Sequence, residues 1–291
     1  MMVSKLWKGF MLKQIHTQTI TDNVARLCQE ANYCLGQDVT ELLKKAKKEE
    51  VSPLGKEILQ QVLENACIAQ EESVPLCQDT GMTVVFIELG QDVHLTGGDL
   101  TKAINEGVRR GYREGYLRMS VVNHPFKRKN TNDNTPAVIH VKIVPGDKLK
   151  IIVFPKGFGG ENFSGLKMLL PGEGKRGVKK FILEQVKLAG SNPCPPIIVG
   201  VGIGGTFEKA ALLAKKALLR KVGEPSSLSE IAILEKELLH EINSLGFGPQ
   251  GLGGSTTALA VNIEIFPCHI ASLPVAVNIN CSAHRQKEVI L

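Results

Sequence analysis

Three cysteines stand in loops built of turn-forming residues. Cys77 lies in Val74-Pro75-Leu76-Cys77-Gln78-Asp79-Thr80-Gly81, Cys194 in Ser191-Asn192-Pro193-Cys194-Pro195-Pro196, and Cys281 in Asn278-Ile279-Asn280-Cys281-Ser282-Ala283-His284-Arg285. The first two loops precede β-like runs and the third follows one, and strand ends are where a rigid scaffold aims loop side chains at a point. Prolines on both sides of Cys194 remove backbone donors and stiffen its loop, which has little purpose at an ordinary core position. Three thiolates far apart in sequence suit zinc with one open position, or an iron–sulfur cluster with one iron lacking a protein ligand. A cysteine nucleophile and plain core cysteines are the other readings, and spacing alone does not choose among them. The pair Cys281 and His284 is compatible with zinc, and Cys268 beside His269 offers a further ligand. The chain has seven cysteines, an odd and irregularly spaced set that argues against a disulfide framework. Cys28, Cys34 and Cys67 fall in helical patterns and read as core residues.

A second motif, Gly200-Val201-Gly202-Ile203-Gly204-Gly205, matches G-x-G-x-x-G after an apolar strand and before a helix, the arrangement that seats a pyrophosphate. A dinucleotide unit also needs a second strand ending in an acidic residue ~20 residues on. Here Lys221 to Ser227 leads straight into another helix, so the glycines are expected to make a tight turn that shapes a site. An NAD-dependent oxidoreductase is the weaker reading.

The elements that must position these residues follow from hydropathy. The first third is helical: Ile20, Val24 and Leu27 repeat at helical spacing, as do Leu42, Leu43 and Ala46, and Ser52-Pro53 starts a third helix with Ser as cap and Pro at the first position. After Pro75 come a β-rich run at Met82 to Leu89 and a helix from Asp99 to Tyr112. Ala137 to Val144 and Lys148 to Phe154, joined by Pro145-Gly146-Asp147, predict an antiparallel hairpin. Beyond it the pattern gives a helix at Val178 to Leu188, a buried strand at Ile197 to Val201, helices at Glu208 to Leu219 and Leu228 to Leu245, and β-like runs at Thr256 to Ile265 and Ala271 to Ile279. The expectation is α+β: N-terminal helices packed on a mixed, largely antiparallel sheet with further helices. Residues 1–19 read as an extension and 20–291 as a single domain.

The 291 residues are 43% hydrophobic and 22% charged, enough for a sizeable core without disulfide staples. The net charge of +6 reads as solvated faces, with attraction of small anions next; aromatics are only 5% and barely interleave with the basic clusters, so nucleic acid is not the expected partner. No apolar run reaches the ~18 residues of a membrane span. The N-terminus lacks an apolar signal region, which predicts a cytoplasmic chain starting at Met1, Met2 or Met11.

The same residues resemble a family. Cys77-Gln78-Asp79-Thr80-Gly81, Gly115-Tyr116-Leu117-Arg118, Lys156-Gly157-Phe158-Gly159-Gly160-Glu161-Asn162, Asn192-Pro193-Cys194-Pro195-Pro196, Gly246 to Gly254 and the tail His269 to Arg285 are similar, in order, to motifs of the class I, iron–sulfur-dependent fumarate hydratases and the related L-tartrate dehydratases. The likeness is to their N-terminal half or separate alpha subunit and runs from about Ile20 to Arg285. It implies that Cys77, Cys194 and Cys281 hold a [4Fe–4S] cluster whose fourth iron is open to substrate. By motif position it implies substrate contacts for Gln78, Asp79 and Arg118, a backbone contact to a carboxylate at Gly157, Gly159 and Gly160, and a histidine near the substrate at His269, with Asp79 and His269 as the catalytic pair. Phe158 departs from the family, which often has glycine there.

The implied reaction is reversible hydration of fumarate to (S)-malate, with L-tartrate dehydration to oxaloacetate as the alternative and a non-catalytic, cluster-carrying protein as a further one. The family's catalytic base and other basic substrate contacts lie in its C-terminal half. The resemblance therefore implies a separate, smaller beta subunit and an alpha–alpha dimer within a heterotetramer, acting on a small dicarboxylate.

Overall fold

A computed structural model describes residues 12–291. The elements run β1 (Lys13–His16), α1 (Thr17–Tyr33), α2 (Gln37–Glu49), α3 (Pro53–Glu72), β2 (Met82–Gly90), β3 (Val93–Thr96), α4 (Leu100–Glu114), β4 (Val138–Val144), β5 (Leu149–Lys156), α5 (Phe158–Glu161), β6 (Gly165–Leu169), α6 (Gly174–Ala189), β7 (Ile197–Gly204), α7 (Phe207–Ala217), α8 (Ser229–Asn243), β8 (Ala258–Phe266), β9 (Leu273–Asn280) and β10 (Lys287–Ile290). The fold is α+β, as the sequence predicts. The start positions Met1, Met2 and Met11 lie outside the described residues. No described helix is long and apolar enough to cross a membrane.

Local chemistry sets the helix starts. Ser52 Oγ accepts from Gly55 N at 3.1 Å with Pro53 at the first helical position of α3, and Asp99 Oδ1 accepts from Lys102 N at 2.7 Å to start α4. Both caps satisfy amide donors that the helix itself leaves open.

The backbone divides into two compact units. One takes, of the described residues, 12–32, Thr80–Pro155 and Gln286–Leu291. Its sheet has the order β10-β5-β2-β4, with β2 and β4 parallel and β10 and β5 antiparallel. Helix α4 lies against α1 at glycine distance: a Cβ on Gly107 would stand 2.7 Å from Thr21 O, and one on Gly111 2.6 Å from Ala25 O.

The expected hairpin is not formed, because β2 lies between β4 and β5. The end of β2 fills the turn instead. Gly90 N donates to Lys148 O at 2.8 Å, Gln91 N to Val144 O at 2.9 Å and Asp92 N to Gly146 O at 3.0 Å. A Cβ on Gly90 would sit 2.3 Å from Gly146 O, so only glycine lets the turn close around it.

The second unit comprises Tyr33–Asp79 and Lys156–Arg285. Its sheet has the order β6-β9-β7-β8; β9 is antiparallel to β6 and β7, and β7 is parallel to β8. Val199, Val201, Ile263, Val275 and Val277 form one buried cluster with Ile182 and Val186 of α6 and Leu234 and Leu238 of α8. Helix α7 covers the other face through Ala210 and Ala214 on Ala276. A Cβ on Gly200 would stand 2.2 Å from Ala214 O and one on Gly202 2.1 Å from Ala210 O. The first two glycines of the G-x-G-x-x-G pattern thus let α7 press onto β7. Helix α8, not a second strand, follows α7, so no acidic strand end stands ~20 residues on to complete a dinucleotide site.

A buried carboxylate ties the helical segment of this unit to the loop before β8. Glu50, 1% exposed, accepts from Val51 N at 2.9 Å, Ser52 N at 3.0 Å, Ser255 N at 2.8 Å and Thr256 N at 2.8 Å. Burial works to raise its pKa, but the amides of Ser52 and Ser255 and the hydroxyls nearby outweigh it and hold the group at about 2. A folded pKa below the unfolded value contributes stability that is complete above about pH 4.5 and lost as pH falls towards 2. Glu50→Gln is therefore expected to lower the unfolding free energy at pH 7 by on the order of 3 kcal/mol, a gap that closes as pH approaches 2. Urea titrations of both proteins from pH 7 to pH 2 check this; a gap that does not change with pH contradicts it.

Candidate metal centre

Antiparallel pairing brings two of the cysteine loops to one end of the second unit's sheet. Ile198 of β7 stands opposite Asn280 of β9, so Cys281 leaves the sheet beside the loop that carries Cys194 into β7. Ser282 N donates to Cys194 O at 3.4 Å. Cys194 itself holds a left-handed φ of 53°, a conformation a side-chain-bearing residue adopts at a cost of order 1–3 kcal/mol unless its surroundings fix it. Here they do. Pro195 O accepts from Gln250 N at 2.7 Å and from Gln250 Nε2 at 3.1 Å, and Cys194 N donates to Ser191 O at 3.1 Å. The segment Gly246 to Gly254 therefore buttresses the Cys194 loop, and Glu50 in turn anchors the residues that follow it.

Cys77 arrives from the end of α3. Asn65 Nδ2 pins its loop by donating to Leu76 O at 2.9 Å, while Leu76 is buried with Ala66 and Ala69. The thiol lies next to the following residues: Asp79 N donates to Cys77 Sγ at 3.4 Å, and Cys77 Sγ donates to Gln78 Oε1 at 3.3 Å. The three thiols share one electrostatic neighbourhood. Burial pushes the Cys194 thiol up, and Cys281 and Cys77 push it further. Burial also pushes Cys281 up, with Arg285 and Lys156 pulling it back and Cys77 adding to the rise.

Behind Cys281 lies a buried ion network. Lys156, 1% exposed, donates to Ile279 O at 2.8 Å and pairs with Glu161 at 3.1 Å. Glu161 pairs again with Lys215 at 2.6 Å and accepts from Asn278 Nδ2 at 2.7 Å. Burial works to raise the Glu161 carboxyl, but the two lysines overcome it and hold it at about 2.

The glycine loop packs against the same place. A Cβ on Gly160 would stand 2.4 Å from Ile279 O, one on Gly157 3.3 Å from Asp79 Oδ2 and one on Gly159 3.5 Å from Asn192 O. Phe158 N donates to Asp79 Oδ2 at 2.8 Å. A backbone amide makes that bond, so it does not depend on the side chain at position 158, and Phe158 is 43% exposed.

Cys77, Gln78, Asp79, Cys194, Cys281 and the three glycines thus meet in one unit, whereas His269 stands elsewhere. It belongs to the turn before β9, while Cys281 follows that strand, and eight residues of β9 separate the two ends. At ~3.3 Å per residue that is about 26 Å. His269 lines an apolar groove with Ile203, Ile231, Leu234 and Ile265. Arg118 lies in the other unit, after α4, where its carbonyl accepts from Thr80 Oγ1 at 2.7 Å.

The zinc pairing of Cys281 with His284 is not made. His284 is buried, its Nδ1 lies 2.7 Å from Asn280 Nδ2, and burial lowers its pKa to about 4 and keeps it neutral. Among the described residues no three His, Cys, Asp or Glu side chains gather tightly enough to hold a single metal ion. Lys156, Glu161, Lys215, Gln250, Arg285 and Glu50 are site-building residues that the sequence did not single out by role. Lys156, Glu161, Gln250 and Arg285 at least lay inside motifs; Glu50 and Lys215 carried no local signal.

Fold and loops together define a mixed α+β protein in which the loops of Cys194 and Cys281 meet at one sheet end, with Cys77 in the same electrostatic neighbourhood. The family model described as fumarate hydratase (Fumerase) matches residues 21–290. A protein of Methanocaldococcus jannaschii with the provisional name L(+)-tartrate dehydratase subunit alpha is 48% identical over 273 residues, covering 92% of this chain and 95% of its own length. The L(+)-tartrate dehydratase subunits alpha of Escherichia coli and Shigella boydii are each 34% identical over 283 residues, covering 96% of this chain and 93% of theirs. The chain belongs to the fumarate hydratase (Fumerase) family and is a hydro-lyase.

Proposed function

We propose that this chain is the alpha subunit of an iron–sulfur hydro-lyase that hydrates fumarate reversibly to (S)-malate, with Cys77, Cys194 and Cys281 holding a [4Fe–4S] cluster. The observation that carries the reading is the convergence of three thiol-bearing loops at one sheet end, backed by buried cations. The donor set fits such a group: three thiols on separate loops suit three different irons, whose ligands stand farther apart than those of one ion. When bound, the cluster supplies Lewis acidity that weakens the carbon–hydroxyl bond without net redox change.

The chain's own residues do the rest. Asp79, its carboxylate fixed by Phe158 N, holds or moves a proton beside the reacting carbons. Gln78 orients the substrate, and Arg118 pairs with a substrate carboxylate as a planar fork. The amides of Gly157, Gly159 and Gly160 form a further wall for a carboxylate. The relatives' designation as subunits alpha supports a beta partner that completes the pocket.

L-tartrate is the second reading, favoured by the names of the relatives. Its extra hydroxyl asks for a partner that a malate site does not provide. The anaerobically reconstituted alpha–beta complex is expected to convert malate with a kcat/KM at least about tenfold above that for L-tartrate, a margin of about 1.4 kcal/mol in transition-state binding. Each of Cys77→Ser, Cys194→Ser and Cys281→Ser is expected to abolish both the iron and the turnover. The reverse preference establishes the tartrate reading, and full activity in a serine variant removes that cysteine from the centre.

His269 tests the assembly. With the ~26 Å span of β9 between it and Cys281, a substrate contact by His269 is proposed in the site of a second copy, which supports an alpha–alpha dimer within a heterotetramer. Co-expression of Cys194→Ser and His269→Ala chains is then expected to restore about a quarter of wild-type activity, because random pairing makes half the dimers mixed and each mixed dimer holds one intact site. No recovery contradicts the exchange.

A further inference from the structure

Two buried cations flank Cys281, and they differ in how well their donors are satisfied. Lys156 bonds to Ile279 O and Gly157 O and pairs with Glu161. Arg285 is 3% exposed; its Nη2 donates to the Asp79 carbonyl, yet its buried Nε–H has no hydrogen-bond partner. Leaving a buried donor unmade costs about 1–3 kcal/mol, more for a charged group, and native chains rarely tolerate it without a reason.

The position of the guanidinium supplies the reason. Arg285 follows Cys281 by four residues and is tethered to the carbonyl of Asp79, whose amide donates to Cys77 Sγ at 3.4 Å. It therefore bridges the Cys77 and Cys281 loops, at the residue whose own amide bonds the Cys77 sulfur. We propose that the Arg285 Nε–H is reserved for a sulfur of the cluster, where it tunes the centre's reduction potential and protects it from loss. This rests on the cluster reading above. Hydrogen bonds to cluster sulfurs and nearby positive charge both stabilise the more reduced, more negative state, so they raise the potential.

The test uses the full chain, wild type, Arg285→Gln and Arg285→Lys, each reconstituted anaerobically with ferrous iron and sulfide after thermal melting confirms the fold. Iron content, loss of the cluster's visible absorption in air and the midpoint potential are measured. Wild type is expected to fill; Arg285→Gln is expected to show a more negative midpoint and several-fold faster loss of absorption in air, with Arg285→Lys, which keeps the charge and loses the Nε–H, between them. A wild-type midpoint and lifetime in Arg285→Gln overturn the proposal. Should Arg285→Gln fail to fold, Arg285→Lys decides, and a wild-type midpoint there overturns it. If malate affinity of the complex drops while the midpoint stays put, the guanidinium serves substrate and the proposal falls. If wild type takes up no iron, the cluster reading fails, and this proposal with it.

Discussion

In the proposed centre, three thiols that ionise near one another oppose each other's ionisation, and burial opposes it further. Cys194 and Cys281 carry both penalties. The second unit is arranged around that difficulty. Lys156 and Arg285 put positive charge beside Cys281, Glu161 stays ionised between Lys156 and Lys215, and Gln250 fixes the strained turn at Cys194. Glu50 extends the chain of supports outward, because its four backbone bonds join the start of α3 to the loop that precedes β8. A centre built on loops thus gains the rigidity of the sheet end beneath it.

The thiol loops were legible in the sequence because cysteine chemistry is distinctive and because prolines and turn residues mark strand ends. The helix starts at Ser52 and Asp99 were legible for the same local reason. The hairpin was misread: Pro145-Gly146-Asp147 has turn chemistry, but nothing local says that a third strand will end inside the turn, and that depended on a bare glycine at position 90. The glycines at 200 and 202 looked like a phosphate loop because a nucleotide site and a close helix–strand contact ask the same thing of the backbone. Only the position of α7 distinguishes them. Long-range supports such as Glu50 to Thr256 were not legible at all, since a single acidic residue at a helix end looks like any solvated one.

The separation of His269 from Cys281 carries a consequence for assembly. Motif resemblance gathers residues into one list, whereas the strand between them keeps these two apart within the chain. In the proposed assembly, His269 therefore acts in the site of another copy rather than beside the Cys281 of its own chain.

Whether three protein thiols leave one iron of a cluster open is read from the Mössbauer spectrum of the full chain reconstituted with isotopically labelled iron, before and after malate. About a quarter of the iron signal, one site in a [4Fe–4S] cluster, is expected to shift on adding malate while the rest stays unchanged. A cluster whose irons all respond alike, or iron that never assembles into one, contradicts it.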